Sequence, residues 1–351
     1  MNISPYLKLM VEKKASDLYF TSNAPVKIKI EGKVISVGKN ELNAEAVKAA
    51  AYGVMTPEQI QFFESNMECD FAIAEEGVGR FRVNVFRQRG QVAMVLRYIP
   101  SNIPRLEDLN LPEVLKDLIM HKRGLLLMVG ATGSGKSTTL AAMINHRNEN
   151  STGHILTIED PIEFTHPNKG CIVNQREIGV DTHSYHNALK SSLREAPDVI
   201  LIGEIRDRET MEAAIELAGT GHLAISTLHA NNAFQTMDRI VNMFPEQLHK
   251  QLFMDLSLNL RGIISQRLVM GKDGKRVAAV EVMLNTPHIA DLILKGQIDD
   301  LREAMAESPE RGMQTFDQAL YNLYKEGRIE LEEALRNADS RANLEAKINF
   351  G

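Results

Sequence analysis

The sequence predicts an α/β protein with a small N-terminal domain, a larger core built on a mostly parallel sheet, and a C-terminal helical segment. Three observations predict this arrangement. Residues 1–100 combine short helical patterns with alternating strands, short apolar strands then alternate with helices, and only helical periodicity remains after residue 285. The length of 351 residues fits two or three domains.

The N-terminal domain is predicted over residues 1–100. PYLKLMVEKKA has the periodicity of an amphipathic helix, and VKIKIEGKVISVG alternates as a hairpin with its turn at Glu31-Gly32. Residues 41–65 are predicted to be helical, with Pro57 near the start of the second helix. GRFRVNVFRQRG and QVAMVLRYIP then predict a strand pair around Gly90, and the prolines of PSNIPRLEDLNLP indicate a linker at 101–110.

The core is predicted over residues 111–284. Its strands are short and rich in Leu, Ile or Val, and each is followed by a polar turn and a helical run: LLLMVG, HILTIED, VILIGE and LAIST. This pattern is typical of a parallel sheet covered on both faces. In the C-terminal segment, residues 285–351, QTFDQALYNLYKEGRI and LEEALRNADS predict amphipathic helices separated near Gly327.

Composition and charge exclude several classes of protein. The net charge of −6 argues against a generally basic nucleic-acid binder. The longest apolar run, Leu125 to Val129, is too short to span a bilayer, and MNISPYLKLMVEKKASD is charged where a signal peptide needs an apolar core. Cys69 and Cys171 are too few for a disulfide framework and form no metal-type pair. We therefore expect a cytoplasmic protein whose membrane contact is peripheral or through a partner.

The phosphate site is predicted by GATGSGKS at residues 130–137, which matches G-x-x-x-x-G-K-[ST] between an apolar strand and a helix. Glycines let backbone N–H groups approach phosphate oxygens, and the helix N-terminus favours the same charge. Lys136 would contact the β- and γ-phosphates of ATP, and Ser137 would ligate Mg²⁺. The predicted nucleotide-binding residues here are Gly130, Ala131, Thr132, Gly133, Ser134, Gly135, Lys136, Ser137 and Thr138.

Glu204 is predicted to act at the carboxyl end of the buried strand in VILIGEIRD. P-loop proteins usually hold the metal with an Asp on such a strand. Here Gly203 takes the preceding place and Asp198 comes before the strand. We therefore expect Glu204 to support Mg²⁺ through water.

HILTIEDPIEF ends a second strand with three acids, Glu159, Asp160 and Glu163. Carboxylates clustered beside a phosphate loop can orient a water or a metal. A turn capped at Asp160-Pro161 is the alternative that the spacing leaves open.

GTGHLAISTLHA brackets a further strand with His222 and His229. His229 follows the strand and could sense the γ-phosphate, whereas His222 precedes it. Either histidine could equally be structural or solvated.

A basic strand is predicted in GRFRVNVFRQRG, where apolar residues alternate with arginines. One face would be apolar and the other basic. Such a face could bind nucleic acid or an acidic partner, supply arginines to a phosphate, or simply be solvated.

These motifs in this order resemble the secretion-type hexameric ATPases of type II secretion and type IV pili: the phosphate loop, TIEDPIEF, VILIGEIRD and GTGHLAISTLHANNA. The resemblance covers nearly the whole chain. ASDLYFTSNAPVKIKIEGKV looks like the PAS-like domain of the pilus retraction branch, and ALKSSLREAPDVILIGEIRDRETMEAAIELAGTGHLAISTLHANNA is specific for that branch, the PilT/PilU family. The resemblance implies a PAS-like N-terminal domain and a RecA-like P-loop ATPase core with C-terminal helices.

Within this branch the sequence is similar to the PilU type. PilT-type proteins carry an AIRNLIR-type motif after Asn-Thr-Pro, where this chain reads NTPHIADLILKGQIDDLREAM. The resemblance implies an accessory retraction motor for twitching motility, with a primary PilT-like motor as the alternative. It implies a homo-hexamer, a PilT-type partner ATPase, an inner-membrane platform protein of the PilC type, and a peripheral position at the inner membrane at the pilus base.

The resemblance also implies roles for individual residues. Glu163 would match the catalytic carboxylate that polarises the attacking water, and Glu204 the Walker B acid. His222 and His229 would match the histidine box, with His229 nearer the γ-phosphate. Arginines of the N-terminal domain would reach the nucleotide of a neighbouring subunit. The catalytic assignments are Glu163, Glu204, Lys136 and His229; the further nucleotide contacts are His222, Arg82 and Arg97; the metal assignments are Ser137 and Glu204.

Three other functions remain open. A RecA-like nucleic-acid motor would share the phosphate loop, but the negative net charge, the absence of tryptophan and the 5% aromatic content argue against it, so no nucleic-acid partner is expected. A regulatory subunit that binds ATP without hydrolysing it is disfavoured because the acids are present. A pilus extension or secretion ATPase is disfavoured by length and by too few cysteines for a four-cysteine zinc motif.

Overall fold

The computed structural model describes residues 1–30, 32–308 and 310–350. These residues form two compact units. The first comprises Met1–Asn102 with the short segments Ile162–Thr165 and Gly179–Asp181, and the second comprises the rest. The chain therefore passes from the second unit into the first twice after residue 102.

Within its described residues, the first unit is a six-stranded antiparallel sheet with three helices. Its elements are α1 (Ser4–Glu12), β1 (Asp17–Phe20), β2 (Lys27–Ile30), β3 (Lys33–Ser36), α2 (Ala44–Tyr52), α3 (Pro57–Asn66), β4 (Glu68–Glu75), β5 (Gly79–Gln88) and β6 (Gln91–Ile99). The spatial order is β3-β2-β1-β6-β5-β4. The predicted N-terminal sheet domain is confirmed, and the predicted PAS-like domain corresponds to this unit.

Local sequence explains these elements. Thr56 and Gln59 form a capping box at the start of α3, where Pro57 takes the first turn as predicted. The predicted hairpin is present because β2 pairs with β3 in antiparallel register. Its predicted turn includes Glu31, which lies outside the described residues.

The second unit contains a seven-stranded sheet and eleven α-helices within its described residues. Its elements are α4 (Val114–Ile119), β7 (Gly124–Val129), α5 (Lys136–Asn150), β8 (Gly153–Glu159), β9 (Cys171–Glu177), α6 (Tyr185–Ser192), β10 (Val199–Ile202), α7 (Arg208–Gly219), β11 (Leu223–Leu228), α8 (Ala233–Asn242), α9 (His249–Asn259), β12 (Leu260–Met270), β13 (Arg276–Leu284), α10 (Pro287–Leu294), α11 (Leu301–Glu307), α12 (Phe316–Lys325), α13 (Leu331–Asn337) and α14 (Arg341–Phe350).

The strands of this sheet lie in the order β13-β12-β7-β11-β10-β8-β9. All neighbours are parallel except β13, which pairs antiparallel with β12. The predicted parallel sheet is thus confirmed. The sequence prediction did not include β9, β12 or β13, because their polar residues interrupt the apolar runs that mark the central strands.

Both faces of the sheet are buried. Every residue of β7 is buried, and alternate residues belong to two separate hydrophobic clusters, one that includes Leu125 and Leu127 and one that includes Leu126 and Met128. Because β7, β11, β10 and β8 run parallel, their carboxyl ends lie along one edge. The loops that follow these four strands are therefore neighbours.

The C-terminal segment is helical as predicted. α12 and α13 are separated at Gly327, which has a φ of 72°. Together with α14 they pack around Phe316, next to Val269 of β12 and Ala279 of β13. Within the described residues, no helix has the length and apolar character needed to cross a membrane.

Candidate active site

The phosphate loop connects β7 to α5 as predicted. The loop glycines adopt backbone conformations with positive φ, 149° at Gly130 and 89° at Gly135. A Cβ at Gly130 would lie 2.5 Å from the Ser134 Oγ, and one at Gly135 would lie 2.6 Å from the Gln266 Nε2. Both positions therefore need glycine for conformation and for space.

Gln266 of β12 holds the loop from behind. Its Nε2 donates to the Ser134 carbonyl at 2.9 Å, and its Oε1 accepts from the Thr139 hydroxyl at 2.8 Å. Gln266 and Thr139 are almost completely buried. One side chain thus ties the loop to the first turn of α5 through two buried hydrogen bonds.

Lys136 folds back onto its own loop. Its Nζ donates to the carbonyl oxygens of Gly130 at 2.7 Å and Ala131 at 2.9 Å. Burial lowers the pKa of Lys136, and the negative charge of Glu204 acts in the opposite direction. Lys136 and Glu204 are therefore close enough to interact electrostatically, as the predicted site requires.

Glu204 lies between two side chains that can carry positive charge. Its Oε1 lies 3.1 Å from the His229 Nε2, and its Oε2 accepts from the Arg206 Nε at 2.8 Å. The side chain of Glu204 is 17% exposed, compared with 44% for His229. Parallel pairing of β10 with β11 brings the two loops together. The structure thus unites Glu204 and His229, two residues chosen from separate sequence motifs.

Gly203 has a packing reason to be glycine. A Cβ at this position would lie 2.7 Å from the Tyr185 hydroxyl and 3.2 Å from the Glu159 Cα. The Gly203 carbonyl accepts from the Thr227 hydroxyl at 2.6 Å. Side chains on α6 and β11 therefore fix the backbone just before Glu204.

The three acids of HILTIEDPIEF are divided between the two units. Glu159 ends β8 and accepts from the Thr157 hydroxyl at 2.5 Å and the Gln175 amide at 3.3 Å. Asp160 follows it, and the Asp160-Pro161 peptide is cis. Glu163 is exposed and falls in the Ile162–Thr165 segment of the first unit.

His222 does not lie at the phosphate loop. It precedes β11, and its carbonyl accepts from the amide of Gly124 at the first residue of β7, whereas the loop follows the last residue of that strand. A six-residue strand is about 20 Å long. The Nδ1 of His222 lies 3.2 Å from the Leu217 carbonyl oxygen. The predicted contact of His222 with the nucleotide is therefore not met within its own chain, because the residue lies at the opposite edge of the sheet.

Arg82 and Arg97 are direct cross-strand partners in the first unit. Arg82 of β5 is in register with Arg97 of β6, which in turn is in register with Asp17 of β1. The Arg97 Nε donates to the buried Asp17 carboxylate at 2.9 Å, and the Arg97 side chain is 63% exposed. The apolar face predicted for β5 is confirmed by the burial of Phe81 and Val83.

Comparison with known proteins identifies the family. The model of the family described as type II/IV secretion system protein matches residues 2–291. The chain belongs to this family. It is 55% identical over 352 residues to the type IV pilus ATPase PilU of Pseudomonas aeruginosa, a match that covers 100% of this chain and 92% of the relative.

Two further comparisons concern PilT. The chain is 43% identical over 344 residues to the type IV pilus retraction ATPase PilT of Pseudomonas aeruginosa, covering 98% of this chain and all of the relative. A crystal structure of the pilus retraction motor PilT with bound ADP matches with a TM-score of 0.92 at 43% identity, covering 98% of this chain and 99% of that one. The chain is a P-loop ATPase of the secretion ATPase family, as its motifs predicted.

Sequence reasoning missed two residues that support the site. Gln266 lies on β12, far along the chain from the loop that it holds, and no local pattern marks it. Arg206 stands two residues after Glu204 in VILIGEIRD. Its position beside an acid was a usable signal for an ion pair.

Proposed function

We propose that the chain is an ATP-hydrolysing ring motor that retracts type IV pili in twitching motility. We propose further that it is a PilU-type accessory motor acting with a PilT-type ATPase. The observation that carries this proposal is the full-length 55% identity to a type IV pilus ATPase. Glu204 lies next to His229 and interacts electrostatically with Lys136 of the phosphate loop. This grouping supports a subunit that hydrolyses ATP over one that only binds it.

ATP would bind through residues 130–138. The Lys136 ammonium would exchange its two loop carbonyls for oxygens of the β- and γ-phosphates. The buried Ser134 Oγ, which has no hydrogen-bond partner within the described parts of the chain, would gain one from phosphate. The N-terminus of α5 adds favourable backbone N–H groups.

Mg²⁺ fits the oxygen donors at this edge of the sheet. Ser137 is exposed in the first turn of α5, and Glu204 supplies a carboxylate near Lys136. Mg²⁺ prefers oxygen ligands and usually keeps several waters and phosphate oxygens. Ser137 would ligate the ion directly, and Glu204, already held by Arg206 and His229, would support it through water. When bound, the ion would neutralise negative charge on the phosphates.

Hydrolysis would use Glu163 to polarise the attacking water and His229 to sense the γ-phosphate. Arg82 and Arg97 would approach the nucleotide of a neighbouring subunit, and their cross-strand register supports their acting as a pair. Arginines supplied in trans stabilise charge in phosphoryl transfer. Any role of His222 at a nucleotide would likewise have to be in a neighbouring subunit.

The working unit would be a homo-hexamer in the cytoplasm, peripheral to the inner membrane at the pilus base. ATP binding would close the N-terminal domain of one subunit onto the core of the next, with residues 101–110 as the linker between residues 1–100 and the core at 111–284. Sequential closure would displace a PilC-type platform protein, so that pilin subunits return to the membrane.

The experiment is live imaging of labelled pili in a strain that lacks this gene but keeps its PilT-type relative. The strain is complemented with the wild-type chain, with Lys136→Ala, or with Lys122→Ala, which changes an exposed lysine of the same unit. An accessory motor is supported if pili in the deletion strain retract but stall against load. Retraction under load should then be restored by the wild-type chain and by Lys122→Ala, and not by Lys136→Ala.

The other outcomes are equally distinct. Pili that extend and never retract would support the alternative, a primary PilT-like motor. Retraction under load that is unchanged by the deletion would overturn the proposal. Unchanged ATP hydrolysis by purified Lys136→Ala would overturn the site itself.

A further inference from the structure

The loop that carries His229 is held at several points outside its own backbone. This His229 loop comprises residues 229–232, between β11 and α8. The carbonyl of His229 accepts from the Arg239 Nη1 at 2.9 Å, and the first amide of α8, at Ala233, donates to the buried Glu281 at 2.7 Å. The Asn232 side chain caps α8 by accepting from the Gln235 amide at 2.9 Å.

Two contacts tie this loop to residues that the hydrolysis site does not otherwise use. The Arg267 Nη2 lies 3.3 Å from the Asn231 carbonyl, and the Asn232 Nδ2 lies 3.4 Å from the Asp339 Oδ2. Arg267 and Asp339 also form an ion pair at 2.6 Å. The side chains are 23% and 14% exposed, so solvent screens this pair only partly.

Among the described residues of the C-terminal helical segment, three contact the Arg267 guanidinium. Besides the Asp339 carboxylate, this guanidinium donates to the Asn337 carbonyl at 2.8 Å and lies 3.8 Å from the centre of the Phe316 ring. A planar guanidinium can stack on a ring and still donate from its edge, which lysine cannot reproduce. Arg267 therefore joins helices α12 and α13 to the His229 loop.

Asp339 is itself fixed by α12. Its backbone amide donates to the Asp317 Oδ1 at 2.8 Å, and the amide of Ser340 donates to the Asp317 Oδ2 at 3.1 Å. Asp317 is only partly exposed and lies 3.7 Å from Arg302 of α11. A continuous set of contacts thus runs from α11 and α12 through Asp339 and Arg267 to the loop.

We propose that Arg267 and Asp339 are positioning residues through which the C-terminal helices hold the His229 loop and set the rate of ATP hydrolysis. This inference rests on the proposed role of His229 at the γ-phosphate. Arg267 also lines the cavity at the phosphate loop, so the test uses Asp339, which contacts the His229 loop through Arg267 and Asn232. Both act by fixing the backbone that presents the imidazole to Glu204 and the nucleotide.

The test uses purified full-length protein and the variant Asp339→Ala. We expect kcat for ATP to fall roughly tenfold, since a small displacement of a catalytic group can cost up to about a hundredfold in rate. KM for ATP and affinity for ADP should stay within about twofold, because the phosphate loop and Gln266 are untouched. Arg267→Lys keeps the positive charge but loses the planar guanidinium that stacks on Phe316. It should lower kcat by a smaller factor than Asp339→Ala does.

The chain offers a matched control. Lys272 and Glu330 form another ion pair between the β12–β13 turn and the C-terminal segment, at 3.5 Å. Within the described parts of the chain, the side-chain hydrogen bonds and ion pairs of the His229 loop involve other residues. Glu330→Ala should therefore leave kcat within about twofold of the wild-type value, since exposed pairs contribute little. Hydrogen exchange at the amides of residues 229–232 should quicken in Asp339→Ala and not in Glu330→Ala.

A double variant separates this inference from the proposed function. In a His229→Ala background, Asp339→Ala should lower kcat no further, because both changes remove the same positioned group. If His229→Ala alone leaves kcat unchanged, the role of His229 fails, and the inference fails with it. The proposed role of Asp339 is overturned, and that of His229 is kept, if His229→Ala lowers kcat but Asp339→Ala does not. The same conclusion follows if the two variants lower kcat by factors that multiply in the double variant. If a variant loses activity because it unfolds, hydrogen exchange should quicken at amides throughout the second unit and not only at the His229 loop.

Discussion

The His229 Nε2 lies 3.1 Å from the Glu204 Oε1, and Arg206 donates to the other oxygen of the same carboxylate at 2.8 Å. The histidine follows β11 and the glutamate follows β10, so strand pairing alone brings them together. A carboxylate held on both oxygens keeps one orientation. The charge of this carboxylate, and not only its shape, should therefore matter for hydrolysis.

Glu204→Gln tests that charge. We expect kcat for ATP to fall about 100-fold, a typical cost for removing one electrostatic group from an active site. Binding of a fluorescent ADP analogue should change little, because glutamine keeps the size of the side chain. Glu216→Gln on the exposed side of α7 is the control. A kcat within twofold of the wild-type value would exclude Glu204 from hydrolysis.

Gln266→Leu tests how the phosphate loop is held. Leucine has a similar volume but leaves the Ser134 carbonyl and the Thr139 hydroxyl without their partner. We expect the free energy of unfolding to fall by roughly 2 kcal/mol, the cost of leaving buried polar groups unsatisfied. KM for ATP should rise several-fold as the loop loses its fixed shape.

Urea denaturation and steady-state kinetics check this prediction. Gln251→Leu on α9, where the exposed glutamine donates to Asp255 in the same helix at 2.9 Å, is the control for the change of residue type. Lower stability with an unchanged KM would limit Gln266 to structural support.

The central residues of the site were predictable because each follows a short apolar strand. Parallel strands end at one edge, so the sequence already implied that the phosphate loop, Glu204 and His229 would meet there. The same rule explains the outcome for His222. It precedes β11 and therefore lies at the amino edge, although the motif places it near His229 in sequence.

The supporting residues were not predictable in the same way. Gln266 and Arg267 lie on β12, whose polar residues hide its strand pattern, and their partners are distant along the chain. The alternation of β5 predicted which residues are buried but not that Asp17 would hold Arg97. The sequence around Glu163 also gives no sign that Glu163 belongs to the first compact unit while Glu159 belongs to the second.

Gly203→Ala tests the packing just before Glu204. The added Cβ would meet the Tyr185 hydroxyl at 2.7 Å, so we expect a loss of roughly 1–3 kcal/mol in unfolding free energy. Hydrolysis should fall as the backbone at Glu204 shifts. Tyr185→Phe removes the obstructing oxygen and should restore part of both losses. The remaining 3.2 Å approaches to Glu159 and Ile158 prevent full recovery.

Thermal denaturation and ATPase rates of the two single variants and the double variant measure this coupling. Tyr185→Phe alone serves as the control for loss of the hydroxyl. Strictly additive effects would show that the Tyr185 hydroxyl is not what excludes a side chain at position 203.

Glu281 should make stability depend on pH. It is 4% exposed, and burial raises its pKa to about 7, although hydrogen bonds from the Ala233 amide and the Ser265 hydroxyl partly oppose the shift. Between about pH 4.5 and pH 7 the native state therefore holds a proton that the unfolded state has lost. The free energy of unfolding should decrease as pH rises through this range and then level off.

Glu281→Gln mimics the protonated side chain and should remove this dependence. The variant should match the wild-type chain below about pH 4 and exceed it by roughly 3 kcal/mol above pH 7, from the difference between the native pKa of about 7 and the ordinary value of 4.5. Urea denaturation at several pH values measures the difference, with Glu303→Gln at an exposed position of α11 as the control. A constant difference between Glu281→Gln and wild type across this range would show that Glu281 does not titrate there.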